Sequence, residues 1–261
     1  AQFPNEYQHN LVAPIFKPFL RDDEYFSPER NAIKDFAHQV TGIDMKFLNL
    51  AVKDVVENFK TAEDFKHIRF LSLHECLNGD GAGIKSMPKN TSVGFPETGK
   101  KHVHLDPAPT ESNPNAVNLS EQMQQKFDAM LQRACEGQRN GVVFKGCAKD
   151  EPRDAEKVKI RKIRLFTLGP MNYYLLCKKF FGSIMQVYTA NFLTTETVGG
   201  VNCYSEDWGR IYKRLSNHPN VINGDFSKFD KKISTLMMLS ACTVVWEVLK
   251  WAYLEHGEEM T

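Results

Sequence analysis

The stretch Gly224-Asp225-Phe226-Ser227-Lys228-Phe229-Asp230 sets two acids five residues apart in an apolar frame. Residues 220–226 read as a short strand that delivers Asp225 to its end. Beyond it, Ile233, Met237, Ala241, Val244, Val248 and Trp251 step by four, four, three, four and three, the spacing of a strongly buried helix. Asp230 then falls near the start of that helix. Hard Mg²⁺ ions take oxygen ligands of this kind in two-metal nucleotidyl transfer, where they clamp the attacking and leaving oxygens. The plainer reading is one Asp in a turn and another capping a helix. Phe226 and Phe229 favour the first reading, because they predict a packed turn whose desolvated carboxylates need a cation.

Upstream, residues 149–164 read Lys-Asp-Glu-Pro-Arg-Asp-Ala-Glu-Lys-Val-Lys-Ile-Arg-Lys-Ile-Arg. The last eight carry five positive charges and no acid, in a chain whose net charge is only +1. Any nucleic-acid signal must therefore be local. Residues 157–165 alternate charged with apolar side chains and predict a strand. Lys157, Lys159 and Arg161 would share one face, with Lys162 and Arg164 crossing to the other. Such a two-sided cationic ribbon suits a triphosphate, whose charge grows on the leaving pyrophosphate, or an RNA backbone. The alternative is a solvated charged edge strand.

A chain of 261 residues, 42% hydrophobic and 25% charged, is ordinary for one or two globular domains. Residues 1–70 read as mixed helix and loop, with a helix over 43–59 whose apolar face holds Phe47, Leu50, Ala51 and Val55. Residues 78–118, rich in Gly, Pro, Asn and Ser, predict a linker or a functional loop region. A helix is expected over 120–135, with Ser120 as N-cap and Gly137 as stop. A short strand over 142–144 follows, and then a helix over 171–189 with Tyr173 and Tyr174 at core positions.

Cys76, Cys135, Cys147, Cys177, Cys203 and Cys242 form no CxxC pair and read as reduced thiols of an intracellular protein. His102 and His104 lack a second pair at zinc spacing and read as polar loop residues. No run approaches the ~18 uninterrupted apolar residues of a membrane span, so no transmembrane segment is expected. No signal peptide is visible, and the chain does not begin with Met, which suggests a proteolytic product or a fragment.

In their order and spacing these tracts resemble the RNA-dependent RNA polymerases of picornavirus-like positive-strand RNA viruses, over roughly residues 70–261. Lys149-Asp150-Glu151-Pro152-Arg153, Lys157 and Lys162-Ile163-Arg164 are similar to motif F. Thr91-Ser92-Val93-Gly94-Phe95-Pro96 with Gly99-Lys100-Lys101 is similar to motif G, and the Asp225 to Asp230 tract to motif A. The resemblance implies an α+β chain of the right-hand polymerase fold, with fingers over 1–180 and the beginning of the palm over 181–261. It implies that Asp225 binds catalytic Mg²⁺, with Mn²⁺ as the alternative ion, and that Asp230 helps sense the ribose 2′-hydroxyl. Lys149 and Arg164 would contact the phosphates of the incoming nucleotide, and Arg153, Lys157 and Lys162 would line the same channel. Ser92 and Gly94 would guide the template, Gly94 by letting the backbone approach closely. The implied partners are template and primer RNA, ribonucleoside triphosphates, and a viral replication complex on membranes of the host cytoplasm.

No Ser-Gly-x-x-x-Thr tract follows Asp230, and no Gly-Asp-Asp occurs. The resemblance therefore implies a partial chain, truncated before motifs B and C and inactive alone. A Mg²⁺-dependent phosphatase with an aspartyl nucleophile would want Asp-x-Asp, whereas Phe226 and Ser227 follow Asp225. A reverse transcriptase would not be expected to carry the motif F tract. A non-catalytic RNA-binding module, using the basic ribbon and aromatic side chains, is the alternative from another class.

Overall fold

The computed structural model describes residues 11–21, 24–34, 42–62, 65–226 and 229–255. Ser227 and Lys228 of the acidic tract lie outside the described residues. The N-terminal part holds β1 (Leu11–Val12), β2 (Phe19–Arg21), β3 (Glu24–Phe26), α1 (Pro28–Lys34), α2 (Met45–Lys60) and α3 (Leu73–Asn78). Next come β4 (Leu105–Pro107), β5 (Val117–Leu119), α4 (Glu121–Cys135), β6 (Lys145–Ala148), β7 (Arg153–Asp154), α5 (Ala155–Lys159) and β8 (Leu165–Leu168). The chain continues through α6 (Met171–Ala190), α7 (Glu206–Leu215), α8 (Phe229–Lys232) and α9 (Thr235–Glu255). The described strands pair antiparallel as four two-stranded ladders: β1 with β7, β2 with β3, β4 with β5, and β6 with β8.

α6 is the spine of the fold. Its 20 residues extend about 30 Å at 1.5 Å per residue, enough to reach two cores. Its first turns bury Met171, Leu175 and Leu176 against Met123 and Phe127 of α4 and Leu77 of α3. Its later turns bury Ile184 and Val187 against Val56 and Phe59 of α2 and Val248 and Ala252 of α9. Between the cores, the Ser183 hydroxyl donates to Arg69 O and accepts from Arg69 N–H, at 2.5 and 3.0 Å. A third, small cluster of Ala32, Ile163 and Leu165, backed by Phe16 and Ala148, lies under the β6–β8 ladder.

Residues 78–118 are not a linker. Asn78 clasps Val117 with both ends of its amide, at 3.0 and 2.9 Å, and Ile84, Met87, Val93 and Ala116 are buried. The 120–135 helix forms as α4, although Ser120 makes no side-chain cap bond, and Gly137 at φ +69° follows its end.

Several local expectations are corrected. Residues 142–144 are not a strand: the ladder partner of β8 begins at Lys145, and the Phe144 ring instead packs edge-on to Tyr173, 5.7 Å between centroids. Tyr174, read as a core position, stays exposed with Lys101 Nζ over its ring. Residues 157–165 are not one strand but α5, a turn and the start of β8. Lys157 and Lys159 pair with Asp154 and Glu156 three residues back, a helical spacing, while Val158 and Ile163 turn inward. Residues 220–226 have no regular structure, since no described strand offers them a ladder.

Two helices form as read, but α2 buries another face and α9 buries its expected stripe only toward its end, at Val248 with Val244 and Trp251 packed beside it. In α2 the buried residues are Val56 and Phe59, while Phe47 and Leu50 are exposed. α9 buries Val248, Leu249 and Ala252 near its end and exposes Met237, Met238, Leu239 and Trp246. Its segment Thr235–Leu254 is long and apolar enough, by length and composition, to cross a membrane. Its last turns pack against α2, while most of the segment is left unburied.

Candidate functional site

The register of β6 and β8 runs from Lys145↔Leu168 to Ala148↔Leu165. The Lys149 N–H donates to Arg164 O at 2.8 Å and carries the pairing one step further. Lys149 and Arg164 are thus opposed across the ladder, where side chains share a face and like charges repel. Glu151 answers that repulsion. Its Oε2 lies 2.8 Å from Lys149 Nζ, and its Oε1 lies 3.0 Å from Arg153 Nη1 and 3.2 Å from Arg164 Nη1. The hydrogen bond from Lys149, then that from Arg153 and the charge of Arg164, hold the Glu151 carboxyl down at about 2. Arg153 arrives from β7, where its pairing with Val12 of β1 fixes the backbone.

Of the residues read as lining one channel, Lys149, Arg153 and Arg164 converge. Lys157 is held on α5 by Asp154, and Lys162 is exposed, its N–H donating to Lys157 O at 2.9 Å. The two-sided ribbon does not form, because α5 and the turn after it carry Lys157 and Lys159 off the strand. Arg161, in that turn, adopts φ +54° and lays its guanidinium 5.0 Å from the Phe19 ring centre.

The loop after α3 reaches the other end of β8. Val93 N–H donates to Gly99 O at 3.1 Å and Lys101 N–H to Thr91 O at 2.9 Å, closing a tight hairpin around Ser92 and Gly94. Gly94 is buried at φ +85°, and a Cβ there would stand 2.5 Å from Gly169 O and 2.7 Å from Pro170 Cα. The close backbone approach is therefore to residues 169–170 of the same chain. Ser92 stays exposed, and its hydroxyl accepts from Gly94 N–H at 3.4 Å. Gly94 is thereby anchored about 16 Å along the strand from Arg164, at roughly 3.3 Å per residue.

Asp225 and Asp230 are both exposed. Phe226 and Phe229 pair their rings at 5.7 Å, yet both remain largely exposed, so the packed turn expected around the acids is not formed. The reason is that no other described element covers them. Asp230 sits in the first turn of α8, and Lys231 Nζ of that helix donates to Ala32 O at 3.0 Å. Ala32 in turn packs on Ile163 and Leu165, the neighbours of Arg164, so α1 joins the acidic segment to the cation cluster. Among the described residues no three His, Cys, Asp or Glu side chains gather to hold a metal ion. A hard divalent cation needs several oxygen ligands, and Asp225 alone does not supply them.

Glu151, the acid at the centre of the cluster, is given no role by the sequence reading, although it stands two positions from both Lys149 and Arg153. Its spacing, an acid flanked by cations at i−2 and i+2, was the available signal.

The profile of the family described as viral RNA-dependent RNA polymerase matches residues 13–254. The replicase polyprotein of cricket paralysis virus is 28% identical over 256 residues, covering 89% of this chain and 14% of that protein. The RNA1 polyprotein of cowpea mosaic virus is 28% identical over 243 residues, covering 88% of this chain and 13% of that one. Among solved structures, a Sicinivirus 3Dpol RNA-dependent RNA polymerase superposes with a TM-score of 0.71 at 17% identity. That match covers 95% of this chain and 52% of the other.

Proposed function

Because the chain belongs to the viral RNA-dependent RNA polymerase family, we propose that it forms the nucleotide-handling fingers, residues 1–180, and the opening of the palm, residues 181–261, of such an enzyme. The reaction of the whole polymerase is attack of an RNA 3′-hydroxyl on the α-phosphate of a ribonucleoside triphosphate, directed by a template. The observation that carries this reading is the convergence of Lys149, Arg153 and Arg164 at the end of the β6–β8 ladder. Three cations held in one place suit a polyphosphate and stabilise the charge that builds on the departing pyrophosphate. Lys157 and Lys162 border the approach to that grip.

Ser92 and the Gly94 hairpin guide the template strand, and Asp230 offers a carboxylate acceptor to the ribose 2′-hydroxyl. Asp225 is one ligand for the Mg²⁺ or Mn²⁺ ions that such an enzyme uses. That no Gly-Asp-Asp occurs in the sequence supports the reading that this chain alone does not polymerise. Template and primer RNA, ribonucleoside triphosphates and a replication complex on host cytoplasmic membranes are its partners.

Lysine and arginine modification read by mass spectrometry tests the grip. ATP should shield Lys149 and Arg164, and uniform modification with and without ATP would refute it. A non-catalytic RNA-binding module would instead hold RNA regardless of triphosphate. In a primed-template assay the chain should incorporate no more nucleotide than its Asp225→Ala variant. Incorporation above that control would overturn its inactivity.

A further inference from the structure

The cation cluster contains one acid, and its placement asks for an explanation. Lys149 and Arg164 face each other as the next pair of the β6–β8 ladder, an arrangement in which both side chains splay apart unless an anion lies between them. Glu151 supplies that anion, with one carboxylate oxygen on Lys149 and the other shared by the two arginines. The three cations are not equally reachable. The Arg153 side chain is 14% exposed, against 45% for Lys149 and 60% for Arg164. Arg153 is the inner strut that fixes Glu151, and Lys149 and Arg164 are the outer arms.

We infer that Glu151 is the positioning residue of the triphosphate grip: anchored by Arg153, it holds Lys149 and Arg164 converged, so that polyphosphate oxygens meet two arms already in place. The inference rests on the cluster being a phosphate grip. A carboxylate here lowers the net positive charge, which on charge alone weakens anion binding. Ordering two long side chains works the other way, since each immobilised rotamer-rich side chain is otherwise ordered at the expense of binding. The geometry favours ordering, because Glu151 leaves Arg164 more than half exposed while fixing where its guanidinium lies.

The test uses the 261-residue chain with ATP as the probe in EDTA, so that no divalent ion contributes. Equilibrium dialysis gives affinity, and modification of Lys149, Arg153 and Arg164 gives the place of binding. Glu151→Gln keeps the shape and removes the charge. It should weaken ATP binding about tenfold, the order of one lost charge-assisted contact, and abolish ATP shielding of Lys149 and Arg164. Glu151→Asp, which restores the charge one methylene short, should recover part of both. Thermal melts of each variant separate this from unfolding, because an effect on folding alone lowers the melting temperature without tracking the returned charge. If Glu151→Gln unfolds the chain, the Glu151→Asp affinity decides: a value at or above wild type overturns the inference. ATP binding to folded Glu151→Gln that equals or exceeds wild type overturns it too, and leaves the grip standing. A wild-type chain whose Lys149 and Arg164 are not shielded by ATP overturns the grip and the inference together.

Discussion

Replacing Gly94 with alanine probes how firmly the hairpin around Ser92 is seated on the chain before α6, and Gly99 supplies its internal control. Both glycines adopt the left-handed region, φ +85° and +87°. At Gly99 an added Cβ meets nothing within 4 Å, whereas at Gly94 it would stand 2.5 Å from Gly169 O and 2.7 Å from Pro170 Cα. Gly99→Ala thus bears only the left-handed backbone penalty, about 1–2 kcal/mol. Gly94→Ala bears that and a clash with two backbone atoms that cannot rotate away. Met171 N–H donates to Val93 O at 2.8 Å and locks the two segments together, so relief requires moving the start of α6. Overpacking of this kind costs about 1–3 kcal/mol, which brings Gly94→Ala to roughly 2–5 kcal/mol. Urea unfolding should show both midpoints lowered with unchanged slope, and Gly94→Ala lower than Gly99→Ala by about 1–3 kcal/mol. Equal midpoints for the two variants would show that the hairpin is not pinned, and the placement of Ser92 and Gly94 relative to β8 would fail with it.

Removing the Ser183 hydroxyl, 2% exposed and bonded to both backbone polar groups of Arg69, should destabilise the chain by about 1–2 kcal/mol in urea unfolding, because Ser183→Ala leaves a part-buried amide and carbonyl without that partner. Leu175→Ala, in the larger core, should cost about 2–5 kcal/mol, whereas Phe47→Ala, on the exposed side of α2, should stay within about 0.5 kcal/mol. The Glu75 carboxyl is lowered from 4.5 to about 2, first by its hydrogen bond from Arg69 and also by those from Ser72. A depressed folded-state value means stability that is present above the ordinary value and lost as pH falls toward the folded one. The melting temperature should therefore drop between about pH 5 and pH 2, and Glu75→Gln should flatten part of that slope. The Glu151 carboxyl, also held at about 2, and the Asp80 carboxyl, raised by desolvation but lowered more by the backbone N–H donors of residues 82–84, contribute to the part that remains.

Long helices were legible because their apolar periodicity repeats often enough to outvote local noise, as α4 and α6 show. Which face they bury was less so. Phe47, Leu50 and Val55 have the right spacing, but Val56 and Phe59 face α6 and α9, and only the partners decide between two plausible stripes. The strands were the weakest part. Each described ladder has two strands of at most four residues, so its position depends on pairing between segments far apart in sequence. Nothing local in 142–148 says that pairing begins at Lys145 instead of Val142.

The basic tract shows how a wrong local reading can still mark the right residues. Alternation of charged and apolar side chains over 157–165 fits a strand, but acids at 154 and 156 lie three residues before Lys157 and Lys159, and those pairs stabilise a helical turn. Once α5 forms, Lys157 and Lys159 sit on that helix beside Asp154 and Glu156, outside the cluster around Glu151, and are poor candidates for the principal phosphate ligands. The strand starts only at Leu165, and it is this late start that brings Arg164 opposite Lys149. Had the strand run from Lys157, its neighbours would have been spread along some 25 Å of ribbon at roughly 3.3 Å per residue, with no single point of convergence. The helix therefore concentrates the site: α5 and its following turn take Lys157, Lys159, Arg161 and Lys162 out of the array and leave Lys149, Arg153 and Arg164 around one carboxylate, a separation of roles that counting charges along the sequence could not reveal.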